Sequence, residues 1–158
     1  MGFSLKELLL ENSVKAKVQV TDRDEAIDYI GNLLIKTSSI TESYISAMKK
    51  VFAELGPYAV IAPGIVLLHA RPEDGVIHAC LGLITLKTPI VFGHSQNDPV
   101  DIVIALGAKD KESHVKALAE LANLLSNQQS LTKIRETSSS KVLYKVIISL
   151  TSQDSERN

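Results

Sequence analysis

Four histidines, one cysteine and a short cationic turn are the groups of this 158-residue chain most able to do chemistry unaided. In "APGIVLLHARPEDGV", Ala62 to Val76, the apolar run Ile65 to Leu68 ends on His69, and Arg71, Pro72, Glu73 and Asp74 follow at once. His69 is either a chemical group held out at a strand end or a polar residue placed where a strand stops. His114 opens a helix shortly after a second apolar run, "DIVIALGA", Asp101 to Ala108. If the two runs are parallel neighbouring strands, His69 and His114 converge at one edge of a sheet. His94 lies in a polar loop and could be solvated, hydrogen-bonded or part of a site's rim. His78, two residues before Cys80, reads as structural or surface. Cys80 sits inside the apolar run "HACLGL", where a buried thiol is inert rather than nucleophilic.

Three readings of these groups compete. A zinc site usually needs a third protein ligand at recognisable spacing, yet no HxH, HxxxH or HExxH occurs, and Glu73 and Asp74 read as turn residues beside Pro72 and Gly75. Phosphoryl transfer fits better, because neutral imidazole is a good nucleophile near pH 7 and can hold phosphate in a labile N–P bond. The protein then positions the ring and stabilises the phosphoryl oxygens, for which Arg71 and His114 are the suitable charge donors. The third reading is a polar residue with no chemical role, and spacing alone does not displace it. No GxxxxGK[ST] loop, GxGxxG turn or GxSxG elbow is present, so neither bound nucleotide nor a serine nucleophile is expected.

The elements that must position these groups alternate in type. Ser4 to Leu10 reads as a short helix with Ser4 and Glu7 in capping-box spacing, and "VKAKVQV" reads as a strand. Thr21 opens a helix with Asp22, Asp24 and Glu25 in its first turn and Ala26, Ile27, Ile30, Leu33 and Leu34 along one face. A second helix starts near Thr41, carries Tyr44, Ile45, Met48, Val51, Phe52 and Leu55, and stops at Gly56-Pro57. Strand-like text follows: "YAVIAPGIVLLHA", the turn "RPEDG", "VIHACLGLITL", and "DIVIALGA". Glu112 to Leu125 reads as a helix with Val115, Leu118, Ala119, Ala122 and Leu125 inward, and Ser139 to Leu150 as a last helix. The pattern predicts an α/β fold, a single domain over residues 1–150 with a central mixed β-sheet flanked by helices, and a frayed polar tail over 151–158. The loop "KTPIVFGHSQNDPV", Lys87 to Val100, is long, polar and proline-bounded, the kind of segment where such folds keep sites.

A net charge of −1 lacks the basic excess of a broad nucleic-acid surface, and 4 % aromatics without Trp do not make a stacking platform for bases. No apolar run reaches the length of a membrane span, and the first residues lack the pattern of a signal peptide. With one cysteine, no internal disulfide can form, and a reducing cytoplasm is the expected compartment.

"GPYAVIAPGIVLLHARPEDGV", Gly56 to Val76, closely resembles the active-site segment of enzyme IIA components of the sugar phosphotransferase system, in the mannitol–fructose superfamily and nearest to its ascorbate-type branch. "FGHSQNDPVDIVIALGAKDKESHVKALAELANLL" resembles the half that follows. The resemblance implies that His69 is the phosphorylated nucleophile, receiving phosphate from the phosphocarrier HPr and passing it to a cysteine of enzyme IIB. It implies that His114 helps hold the phosphoryl oxygens, that a membrane IIC component is an indirect partner, and that no metal or cofactor is needed. Two positions depart from the pattern. Leu68 stands where proline is usual before the phosphorylated histidine, and the preceding helix offers Lys49, Lys50 and Val51 where an arginine is found in mannitol-type members. Arg71 is the candidate replacement. Two further readings remain open: a phosphorylatable regulatory module of the same fold, and a small metal site built from His69, His94 and His114.

Overall fold

The computed structural model describes residues 3–110, 112 and 114–157, with residues 152–157 as helical backbone. Side-chain capping starts the early helices. The Ser4 hydroxyl accepts from the Glu7 N–H at 3.3 Å while the Glu7 carboxylate accepts from the Ser4 N–H at 3.1 Å, opening α1 (Leu5–Leu8). Asp22 accepts from the Glu25 N–H at 2.8 Å and opens α2 (Arg23–Lys36). In α3 (Glu42–Leu55) the cap residue Thr41 makes no such bond, and its hydroxyl contacts the Gly75 carbonyl instead, at 3.4 Å.

Five strands, β1 (Leu9–Val18), β2 (Val60–Ala62), β3 (Ile65–His69), β4 (Cys80–Ile90) and β5 (Val100–Gly107), form one mixed sheet in the order β1-β4-β5-β3-β2. β3 runs parallel to β5, and β1 parallel to β4, while β4–β5 and β2–β3 are antiparallel. On one face, α2 and α3 bury Ile27, Ile30, Leu34, Met48 and Phe52 against Val66, Leu68, Ile84 and Val103. On the other, α1, α4 (Val115–Ser126), α5 (Gln128–Glu136) and α6 (Ser140–Arg157) cover Ile65, Leu83, Ile102 and Ile104. The α/β class and the helix-flanked mixed sheet are therefore as the pattern predicts.

Several boundaries differ, each for a physical reason. α1 ends at Leu8 and β1 begins at Leu9, because Leu9 and Val14 are needed in the sheet's core. The run from Tyr58 breaks into a 3₁₀ turn (Pro57–Ala59), β2 and β3, since Pro63-Gly64, with φ of +79° at Gly64, reverses the chain. Val76 to Ala79 are not a strand: Ile77 and His78 donate their N–H groups to the Ser39 carbonyl, so His78 does not share a strand face with Cys80. Residues 87–90 belong to β4, which shortens the expected loop. α4 buries Ala117, Leu121, Leu124 and Leu125, leaving Val115, Ala119 and Ala122 exposed. α5 has no counterpart in the sequence reading, and α6 continues through Arg157, with Thr151 buried and its hydroxyl donating to the Ile147 carbonyl at 2.8 Å.

Candidate functional site

Alternation along β3 sends Val66 and Leu68 into the α2–α3 layer and puts Ile65 and Leu67 on the opposite face, so His69 points with the latter, exposed at the strand's end. His69 is paired in register with Leu106, one residue before β5 ends at Gly107. The chain then leads to His114, the N-cap of α4, and His69 and His114 line one cleft of about 340 Å³ with Ala70, Pro72, Glu73, Leu106, Ala108 and Asp110. The His114 Nδ1 lies 3.1 Å from the Asp110 carbonyl. A carbonyl only accepts, so this bond puts the proton on Nδ1 and leaves Nε2 to face away, where it donates only when the ring is charged.

Arg71 sits on the far side of His69, in a second cleft shared with Lys50, Glu54 and Asp74. Its guanidinium Nε is 3.5 Å from Asp74 Oδ2 and 3.7 Å from Glu73 Oε1, so its charge is partly engaged within its own turn. Lys50, on α3, is a second cation at this cleft, and sequence reasoning assigned it no role. A third, apolar groove beside His69 is formed by Val51, Leu55, Tyr58, Ile61 and Leu67, with Tyr58 85 % exposed.

The first turn of α3 holds the segment that follows His69. The Ser43 hydroxyl donates to the Asp74 carbonyl at 2.8 Å, and the Thr41 N–H donates to the Gly75 carbonyl at 2.9 Å. Gly75 has φ of +139°, and a Cβ there would lie 2.9 Å from the Ser43 hydroxyl. Tyr44, fully buried, accepts from the Ala70 N–H at 2.9 Å and donates to the Leu106 carbonyl at 2.6 Å. Burial pushes its phenol up to about 12, against the smaller opposing effect of its bond to Ala70. The sequence marked Tyr44 only as part of an apolar stripe; a tyrosine among aliphatic residues was the available signal, because a buried phenol must find a partner.

Cys80 is buried beneath this region, and desolvation raises its thiol to about 11 despite hydrogen bonds from Gly107 and Ser39. The thiol is accordingly protonated and inert at neutral pH. His94 stands elsewhere. Its Nδ1 accepts from the N–H groups of Gln96 and Asn97, in the loop that meets the start of β3 and β5. The length of β3 separates that end from His69 by about 13 Å, so the metal site built from His69, His94 and His114 is not assembled. The polar loop is structural: Asp98 accepts from Phe92 and Gly93 N–H groups, and Asn97 donates to the Val60 carbonyl. Asp101 receives a two-pronged guanidinium from Arg135 at 2.9 and 3.1 Å.

Fold and site together define a helix-covered mixed sheet with one imidazole exposed at a strand end and a second lining the same cleft. The model of the phosphoenolpyruvate-dependent sugar phosphotransferase system EIIA 2 family matches residues 7–149. The ascorbate-specific EIIA component of Salmonella typhi is 35 % identical over 133 residues, 83 % of this chain and 86 % of that protein. The solution structure of the mannitol-specific cryptic enzyme IIA CmtB from Escherichia coli superposes with a TM-score of 0.81 at 32 % identity, covering 92 % of this chain and 98 % of that one. The Escherichia coli mannitol enzyme IIA, solved in complex with phosphorylated enzyme IIB, shares the fold with a TM-score of 0.76 at 21 % identity over 90 % and 99 % of the chains. This chain belongs to the EIIA type 2 family of the sugar phosphotransferase system.

Proposed function

We propose that the chain is a phosphoryl-transfer component that forms a phosphohistidine at His69, taking phosphate from phospho-HPr and passing it to a cysteine of enzyme IIB. A ring nitrogen of His69 attacks the phosphorus as the donor's N–P bond breaks; a thiolate of IIB then attacks it, and the His69 N–P bond breaks in turn. The observation that carries this reading is the setting of His69, exposed at the end of a buried strand with His114 on one side and Lys50 and Arg71 on the other. In this reading Lys50, Arg71 and His114 would receive phosphoryl oxygens, which is nearly all the catalysis such a transfer requires. The exposed apolar groove of Leu55, Tyr58 and Ile61 beside the ring suits a protein surface as donor and acceptor rather than a free metabolite. The similarity to ascorbate-specific components supports L-ascorbate or a related sugar as the cargo moved by the membrane IIC partner. Among the described residues no helix is long and apolar enough to cross a membrane; the proposed exchange with HPr and IIB would take place in the cytoplasm.

Incubation with phosphoenolpyruvate, enzyme I and HPr should put an acid-labile, base-stable phosphate on the protein. His69→Ala should take up none, and labelled wild type should discharge faster to an ascorbate-type IIB than to a mannitol-type one. Undiminished labelling of His69→Ala would overturn the assignment of the nucleophile.

A further inference from the structure

We propose that Tyr44 is a positioning residue for transfer at His69, its hydroxyl bridging the last rung of the β3–β5 ladder and thereby fixing the backbone on which the imidazole is mounted. The inference rests on the reading of His69 as the phosphate acceptor. The phase of the ladder is set at its start, where the Ile102 N–H donates to the Gly64 carbonyl at 3.0 Å. Parallel pairing repeats every two residues, so the even-numbered N–H groups of β3 face β5, and the rung after His69 would join the Ala70 N–H to the Leu106 carbonyl. These are the two groups that the Tyr44 hydroxyl engages, at 2.9 and 2.6 Å. One is the residue after His69 and the other its register partner, so the hydroxyl controls both sides of the site's backbone.

The phenol is suited to this task. It is fully buried, and with its proton held up to about 12 it donates to Leu106 throughout the working range. Its own helix is fixed by the Thr41 and Ser43 bonds to the turn beyond His69, so the hydroxyl is a stationary point rather than a follower. Without it, Ala70 and Leu106 either close on each other or lose a partner, and both outcomes move the His69 backbone. Displacement of a reacting atom by about 1 Å can cost roughly a hundredfold in rate.

Tyr44→Phe keeps the ring and removes only the hydroxyl. With phospho-HPr as donor, kcat for phosphate uptake should fall about tenfold or more while KM stays within about twofold, because the apolar docking groove is untouched. Thr85→Val is the control. It removes another buried hydroxyl, one that accepts from the Lys17 N–H at 2.9 Å on a different strand pair, and it should leave kcat unchanged. Equal losses in the two variants, or a Tyr44→Phe protein with wild-type kcat, would refute the positioning role. Should Tyr44→Phe not fold, a fluorinated tyrosine placed at 44 retains the hydroxyl but releases its proton at lower pH. Its kcat should then decline with rising pH where wild type does not, and a wild-type profile would refute the role. A wild-type protein that takes up no label removes the His69 reading, and this inference with it.

Discussion

Replacing Asp101 by alanine tests whether the "NDPVD" wording marks the reacting centre or the frame around it. Asp101 receives Nε and Nη2 of Arg135 at 2.9 and 3.1 Å, and the same Nη2 donates to the Pro63 carbonyl at 3.0 Å. Arg135 thus ties α5 to the start of β5, through Asp101, and to the turn between β2 and β3, through Pro63. Hydrogen bonds to charged groups contribute about 1.5–3 kcal/mol when well buried. Here the side chains are 32 % and 26 % exposed, so water replaces part of what is lost and about 1–2 kcal/mol is the reasonable cost. For a domain of this size that lowers Tm by about 3–7 °C. Leu106, the register partner of His69, lies five residues along β5, about 16 Å away. Phosphate uptake below the melting transition should therefore stay within about twofold of wild type. Circular-dichroism melting and initial uptake rates on the same preparation decide the matter. A variant that melts like wild type but transfers phosphate slowly would refute the division into frame and site.

Other predictions concern the site and what lies under it. Both Cys80 and Tyr44 hold their protons above the ordinary range, so the unfolded chain releases them first and stability should fall as pH rises, from about 9 to 11 for the thiol and about 10 to 12 for the phenol. Each could contribute roughly 2–3 kcal/mol of that loss, and Cys80→Ala should show a shallower decline in Tm above pH 9 than wild type. Gly75→Ala forces a Cβ at φ +139° against Thr41 and Ser43, and should lower stability by more than about 1 kcal/mol in chemical denaturation while slowing uptake by displacing the turn after His69. His114→Gln keeps a side-chain donor without a positive charge, and should slow uptake while leaving Tm nearly unchanged, because the ring's resolved bond is to an exposed loop carbonyl. A Tm loss as large as that of Asp101→Ala would instead make His114 structural.

The parts legible in the sequence were those whose signals are local. Capping at Ser4 and Asp22, the stop at Gly56-Pro57 and the end of a buried strand at His69 each depend on a few neighbouring residues. The facing of α4 is only partly legible, because Ala, Leu and Val occupy nearly every side of it: Leu118 and Leu125 pack inward as their spacing predicts, whereas Val115, Ala119 and Ala122 face out and Ala117, Leu121 and Leu124 take their place in the core. α5 went unseen because Leu131 and Ile134 are its only large apolar residues, although Asn127 does cap it, accepting from the Ser130 N–H at 3.0 Å. The polar loop before β5 looked like a site because its charges and amides were visible while their partners were not. Those partners, such as the Val60 carbonyl and Arg135, come from distant stretches of chain. Tyr44 was missed for the same reason, its two acceptor and donor groups lying 26 and 62 residues away.

At the β5 start, Asp98, Asn97 and Asp101 spend their polar atoms on backbone and on Arg135. At the β3 end, no described residue hydrogen-bonds the His69 ring, while the backbone around it is held by Tyr44 and by the α3 turn. Leu68 adds to that mount: it is 2 % exposed in the core, and the ladder phase directs its N–H toward β5, a donor that proline would lack. Under the proposed reading, in which His69 accepts phosphate from one protein and surrenders it to another, a free ring on an immobile base keeps the reacting nitrogen open to both. Polarity satisfied at one end of the strand and left open at the other meets both needs. The bonds that make the base immobile are long-range, and for that reason the chemically bare histidine was easier to find than what holds it.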